Sequence, residues 1–223
     1  MEEALSSKMD IKAFIFDMDG LLFDSERIVQ RSWKMAGDEL GILHMGDVIY
    51  HTLGMNRTGR NEYFRKYIRE DFPFEEFGRL TRDNFWKIVD KEGLPLKKGV
   101  KELLAYGKAQ GYKMAVATSS SREYAMGNLI RAGIDPYFDS VICGDMVKKA
   151  KPDPEIYQKA CESLGIQPEY CMAFEDAPGG ILSAHQAGMH VIMVPDLVQP
   201  TQEIRELTYR VCDSLADVIG ILN

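Results

Sequence analysis

The rhythm of hydrophobic and polar positions changes three times along the chain. Residues 11–16 read Ile-Lys-Ala-Phe-Ile-Phe, a short apolar run that stops at two acids and a glycine, as a buried strand does. From residue 25 the pattern becomes long, charged and aromatic. Val29, Trp33, Ala36 and Leu40 recur at spacings of three and four, which gives a helix one apolar face. A second helix is predicted over 56–70 and one or two more over 74–91, with Pro73 as the interruption. The stretch 93–99, Gly-Leu-Pro-Leu-Lys-Lys-Gly, then resets the pattern and reads as a return hinge. Beyond it, helices ending at Gly111, Gly133, Gly165 and Gly188 alternate with strand-like runs at 113–117, 140–143, 171–174 and 190–194. Glycine just past a helix supplies a left-handed cap, and repeated helix-then-strand units build a parallel sheet. The prediction is an α/β fold: a doubly wound, Rossmann-like parallel sheet formed by 1–24 and 93–223, with an all-helical domain of residues 25–92 inserted after the first strand.

The predicted strands end in chemistry. Asp17, Thr118, Asp145, Glu175 with Asp176, and Asp196 each sit at or just past a strand's carboxyl end, the edge where open α/β sheets bind ligands. Asp17 and Asp19 lie two apart, so an extended chain directs both carboxyls the same way, and Gly20 permits the turn that follows. An ionised aspartate is a nucleophile at neutral pH without help from a base, and a second carboxyl beside it can carry protons. A calcium loop would need a third acid before the glycine and helices on either side, so it does not fit. Thr118-Ser119-Ser120-Ser121 offers hydroxyls and free amides at a helix start, which can hold phosphate oxygens.

Each of these features also has an ordinary structural reading, as a polar turn, a helix cap or a solvated loop lysine at Lys151. Charge favours reading them as a set. A phosphate dianion about 4 Å from Asp17 is repelled by roughly 8 kcal/mol at an effective dielectric near 20, so attack needs cations nearby. Asp17 and Asp176 carboxylates and the Asp19 carbonyl suit an oxygen-only Mg²⁺ shell, and Lys151 adds positive charge.

Composition narrows the partners. The chain has 223 residues, is 45% hydrophobic and carries a net charge of -7 with a pI near 5.2, which opposes nucleic acid and anionic membranes. A small diffusible substrate is expected. Cys143, Cys161, Cys171 and Cys212 lack zinc or disulfide spacing, and no basic, apolar leader opens the sequence, so buried thiols and a cytoplasmic setting are expected. The four histidines lack metal-ligand spacing.

In chain order, Asp17-Met18-Asp19-Gly20, Thr118-Ser119-Ser120, Lys151-Pro152-Asp153-Pro154 and Glu175-Asp176 resemble the motifs of the haloacid-dehalogenase superfamily of phosphotransferases. The helical insert is similar to that of the subfamily containing β-phosphoglucomutase and small-molecule phosphatases, and the resemblance runs from Lys12 to Val194. It implies Asp17 as nucleophile, Asp19 as general acid/base, and Thr118 and Lys151 as phosphate holders beside Ser119 and Ser120. It also implies Mg²⁺ on Asp17, Asp19 and Asp176, helped by Glu175, and a cap that closes over the substrate. Asp19 excludes the superfamily's dehalogenases, which carry no acid there. Arg57 falls where the sugar-phosphate mutases bind a substrate phosphate, whereas Val29 stands where they place a histidine. The expected activity is a Mg²⁺-dependent phosphomonoesterase acting on a sugar phosphate or nucleoside monophosphate. A β-phosphoglucomutase-like isomerase and a non-catalytic phosphate-ligand sensor are the alternatives.

Overall fold

The computed structural model describes residues 10–52 and 57–222, without the side chains of 57 and 58. In chain order the elements are β1 (Ala13–Phe16), α1 (Ser25–Glu39), α2 (Met45–His51), α3 (Arg57–Tyr67), α4 (Phe74–Glu92), α5 (Val100–Gln110), β2 (Lys113–Thr118) and α6 (Arg122–Ala132). They continue with β3 (Ser140–Cys143), α7 (Glu155–Leu164), β4 (Cys171–Glu175), α8 (Pro178–Gln186), β5 (His190–Met193), α9 (Gln202–Glu206), β6 (Arg210–Val211) and α10 (Leu215–Leu222). All six strands pair in parallel, in the order β3-β2-β1-β4-β5-β6. This is the predicted doubly wound sheet.

Both faces of the sheet are covered, and the alternation of side chains decides what lies on each. Phe14, Phe16, Met114, Val116, Met172 and Phe174 point to one side, where they pack with Leu103 and Leu104 of α5, Leu129 of α6 and Val218 of α10. Ala13, Ile15, Ala115, Ala117, Cys171 and Ala173 face the other side, against Ile156, Tyr157 and Ala160 of α7 and Ile181 of α8. One face is thus aromatic and thick, the other small enough for α7 to lie close. Each large apolar side chain buried here contributes about 1.5–3 kcal/mol by leaving water.

Helices α1 to α4 have a core of their own, centred on Trp33 with Phe64 and Phe77 edge-on to it at 5.6 Å each. The segment after Pro73 is one helix, because Phe77, Leu80, Asn84, Ile88 and Val89 keep a single buried stripe through it. Helix α2 was not foreseen; it starts directly after His44, whose backbone is left-handed at φ 63°. The two connections to the sheet run side by side: Asp24 N–H donates to Pro95 O at 2.9 Å, and Lys97 N–H to Leu22 O at 2.9 Å. Among the described residues no helix is long and apolar enough to cross a membrane, and all four cysteines are buried.

Candidate active site

The chain fills β2 and β3 on one side of β1 and then returns to β4 on the other, so the order of strands reverses at β1 and β4. The acids sit at that reversal. Asp17 follows β1 directly, its N–H donating to Phe174 O of β4 at 3.0 Å, and Glu175 ends β4. By alternation Asp17 falls on the small-residue face, towards α7. There Lys151 Nζ donates to Asp17 Oδ1 at 2.6 Å, to Glu175 Oε1 at 2.6 Å and to Ala117 O at 3.0 Å. The Tyr157 hydroxyl donates to the same Glu175 oxygen at 2.5 Å, and the Asp176 N–H reaches Oε2 at 3.2 Å. Glu175 is therefore fully engaged by its neighbours, while Asp176 faces the open side.

Two glycines make this crowding feasible. Gly20, at φ +84°, lies so close to Asp176 that a Cβ would run into its Oδ2, and a Cβ on Gly180 would run into the Glu175 carboxylate.

Carboxylate oxygens of Asp17, Glu175 and Asp176 all lie within 4.8 Å of one another. One ammonium faces three carboxylates, leaving two negative charges when all are ionised. Burial pushes the Asp17 carboxyl up to about 8, with Lys151 pulling it down and Glu175 pushing it further up. Asp176 is raised well above the usual carboxylate range by burial and then by Asp17 and Glu175. Burial works against the charge on Lys151, but Asp17 and Glu175 outweigh it and hold its pKa above that of an ordinary lysine. Tyr157 is raised by burial and by Glu175, so it remains a hydrogen-bond donor. The excess negative charge calls for protons or a divalent cation; the Asp17 and Asp176 carboxylates are hard oxygen donors of the kind magnesium takes, whereas both Glu175 oxygens are already occupied by Lys151, Tyr157 and the Asp176 N–H.

Asp19 takes a different direction. Strand β1 stops at Phe16, so the alternation that would align Asp19 with Asp17 does not extend to it. Its carboxylate turns to the loop after β2, where Ser120 Oγ donates to Oδ2 at 2.7 Å and the Tyr124 hydroxyl to Oδ1 at 3.0 Å. Thr118 ends β2, buried, with its Oγ1 accepting the Ser120 N–H at 3.1 Å, and Ser119 is exposed beside it. Ser121 caps α6. The structure thus brings Asp17, Asp19, Thr118, Ser119, Ser120, Lys151, Glu175 and Asp176 to one sheet edge. Arg57 opens α3, but its side chain and residues 53–56 lie outside the described residues.

Two strand-end acids have other work. Asp145 accepts the Arg122 N–H at 3.0 Å, at the start of α6, and Asp196 accepts from Lys97 at 2.5 Å, tying the end of β5 to the returning linker. Sequence reasoning missed Tyr157, Tyr124 and Glu26. The first lies six residues after Lys151, within the first turn of α7, and the second within the first turn of α6, so helix-start positions near a motif were the available signal. Glu26, raised by burial and then by Asp196 and Asp19, lines a cavity of about 490 Å³ between the helical insert and the sheet edge. Val29, Trp33, Thr52 and Arg60 wall it on one side, Asp176 to Gly179 on the other.

A family model described as haloacid dehalogenase-like hydrolase matches residues 11–188. The chain is 32% identical over 182 residues to the phosphorylated carbohydrates phosphatase of Thermotoga maritima, covering 82% of this chain and 84% of that protein. It is 32% identical over 186 residues to hexitol phosphatase A of Escherichia coli, covering 83% and 84%. Among solved structures, a HAD family hydrolase from Deinococcus radiodurans with bound phosphate and sodium superposes with a TM-score of 0.82 at 25% identity, over 96% of each chain.

Proposed function

Because the chain belongs to the haloacid dehalogenase-like hydrolase family, we propose that it releases phosphate from phosphorylated sugars or polyols through an aspartyl phosphate on Asp17. The observation that carries the reading is Lys151, buried and bonded at once to Asp17 and Glu175, with Asp19 held just beyond them. A structural aspartate at a strand end needs no such arrangement. In the first half-reaction an Asp17 oxygen attacks phosphorus, the bond from phosphorus to the substrate's ester oxygen breaks, and Asp19 gives its proton to the departing alkoxide. In the second, water attacks the aspartyl phosphate while Asp19 takes its proton, which frees inorganic phosphate and restores Asp17.

Lys151 offsets charge on the transferring oxygens, and Glu175, clamped by Tyr157, fixes where that ammonium stands. Thr118, Ser119 and Ser120 offer hydroxyls and amides to the phosphate. Asp17 and Asp176, with the Asp19 carbonyl, would hold magnesium, which supplies positive charge that lets a phosphate dianion approach a carboxylate.

The names of the two relatives point to carbohydrate and hexitol phosphates, and the cavity agrees: Trp33 offers an apolar face, and Glu26, Thr52 and Arg60 offer polar groups suited to hydroxyls. The apolar Val29 in that wall, where the mutases carry a histidine, favours hydrolysis over isomerisation. The test is a phosphate-release screen over sugar, polyol and nucleoside phosphates with magnesium, beside Asp17→Asn. Loss of release in Asp17→Asn supports the reading; full retention removes the nucleophile. Interconversion of hexose 1- and 6-phosphates exceeding phosphate release would install the mutase reading instead.

A further inference from the structure

A second cavity, about 530 Å³, opens where α4 of the helical insert meets α6 of the sheet domain, walled by Trp86, Tyr124, Asn128 and Arg131. Tyr124 separates it from the active site. Its hydroxyl donates to Asp19 Oδ1 at 3.0 Å, while its ring lies edge-on to Trp86 at 5.7 Å and tilted against Phe85 at 6.3 Å. Arg131, also on α6, donates to Val89 O of α4 at 3.3 Å and pairs with Asp90 at 3.5 Å.

We propose that Tyr124 is a positioning residue through which helix α4 sets the orientation of the Asp19 carboxylate. The inference rests on the phosphatase reading above, in which Asp19 moves the protons. Ser120 holds one Asp19 oxygen and Tyr124 the other, so the carboxylate is fixed at both ends. A carboxylate that must meet a departing oxygen needs a fixed orientation, because a misplacement of about 1 Å costs on the order of a hundredfold in rate. Ser120 belongs to the loop that holds the phosphate. Tyr124 alone of the two has its ring against the insert, so a shift of α4 moves the hydroxyl that aims Asp19.

The step at issue is transfer of the Asp19 proton to the ester oxygen as its bond to phosphorus breaks and the Asp17 oxygen's bond to phosphorus forms. An alkyl phosphate needs that proton because an alkoxide is a poor leaving group, whereas p-nitrophenolate leaves without it. The experiment compares kcat/KM, which reports on this first half-reaction, for p-nitrophenyl phosphate and for glucose 6-phosphate, sorbitol 6-phosphate and glycerol 1-phosphate, with magnesium. Tyr124→Phe is expected to lower kcat/KM about tenfold on the alkyl esters and less than twofold on the aryl ester, with Tm nearly unchanged. Trp86→Ala is expected to show the same bias at about threefold. Equal losses on both ester types, or none, would overturn the role of Tyr124, and a Trp86→Ala chain without bias would overturn the link to α4. A parental chain that cleaves no alkyl phosphate would instead sink the phosphatase reading itself.

Discussion

Freed of divalent ions, the protein is expected to lose stability as pH rises from 6 to 8, and magnesium is expected to remove that loss. Asp17 is pushed from an ordinary 3.8 up to about 8, first by burial. Between roughly pH 4 and 8 the folded chain therefore holds about one more proton at this site than the unfolded chain does. Linkage then makes stability fall as pH climbs through that window and level off above it. One proton of difference is worth about 1.4 kcal/mol per pH unit. Integrated to a folded value near 8, this gives a loss of about 2 kcal/mol between pH 6 and pH 8. For a chain of 223 residues that is a fall of roughly 4–8 °C in Tm. Asp176, raised in the same sense, adds to it.

Magnesium competes with those protons for the same oxygens. With saturating metal the downward slope should vanish, and the rise in Tm on adding metal should be larger at pH 8 than at pH 6. Scanning calorimetry at pH 6, 7 and 8, in EDTA and in magnesium chloride, measures both slopes. Asp17→Asn serves as the reference, because it removes the titrating group and leaves the histidines in place. A parental chain whose Tm in EDTA rises with pH relative to Asp17→Asn would refute the reasoning.

Three further substitutions probe the same cluster. Lys151→Met leaves the buried Glu175 carboxylate without its cation and Asp17 without its donor, so urea melts should show about 3–5 kcal/mol lost and phosphate release should fall at least about a hundredfold. Gly20→Ala places a Cβ against Asp176 at a left-handed position; it should cost about 1–2 kcal/mol of backbone strain and raise the magnesium concentration for half-maximal activity, read by metal titration. Tyr157→Phe removes the hydroxyl that clamps Glu175 and should destabilise by about 1.5–3 kcal/mol in chemical denaturation.

The fold was legible wherever periodicity was uniform over enough residues. Strands β1 to β5 announced themselves as short apolar runs, and four of the helices around them by a terminal glycine. Strand β6 did not, because two edge residues, one of them exposed Arg210, leave no pattern. Helix α2 lacked a side-chain cap, and its left-handed lead residue, His44, is not a residue from which a helix start is read. At the site, Asp17, Glu175 and Asp176 were legible as acids at strand ends, whereas Lys151, in the loop before α7, was legible only through the Lys-Pro-Asp-Pro motif it opens. Tyr157 and Tyr124 were hidden because each lies on a helix whose apolar face accounts for an aromatic ring. Only the placement of each hydroxyl, on Glu175 and on Asp19, shows a second use.

The two sides of the cavity are encoded by different means, and this decides what can vary. The sheet side is built from backbone topology: register sets Asp17 and Glu175 next to each other, and glycines at 20 and 180 leave no room for other side chains. A change there breaks charge balance in a buried place, where one uncompensated carboxylate costs several kcal/mol. The opposite side is a helical surface whose stability comes from the Trp33, Phe64 and Phe77 cluster. Of the residues bordering the cavity, Thr52 is buried with its hydroxyl donating to the Val48 and Ile49 carbonyls, whereas Arg60 is partly exposed and lies over the Trp33 ring, so Arg60 can change at the smaller cost to folding. On the proposed reading, substrate choice would fall to the helices and chemistry to the sheet edge, and the two would be joined through the position of the Asp19 carboxylate, which Ser120 and Tyr124 hold.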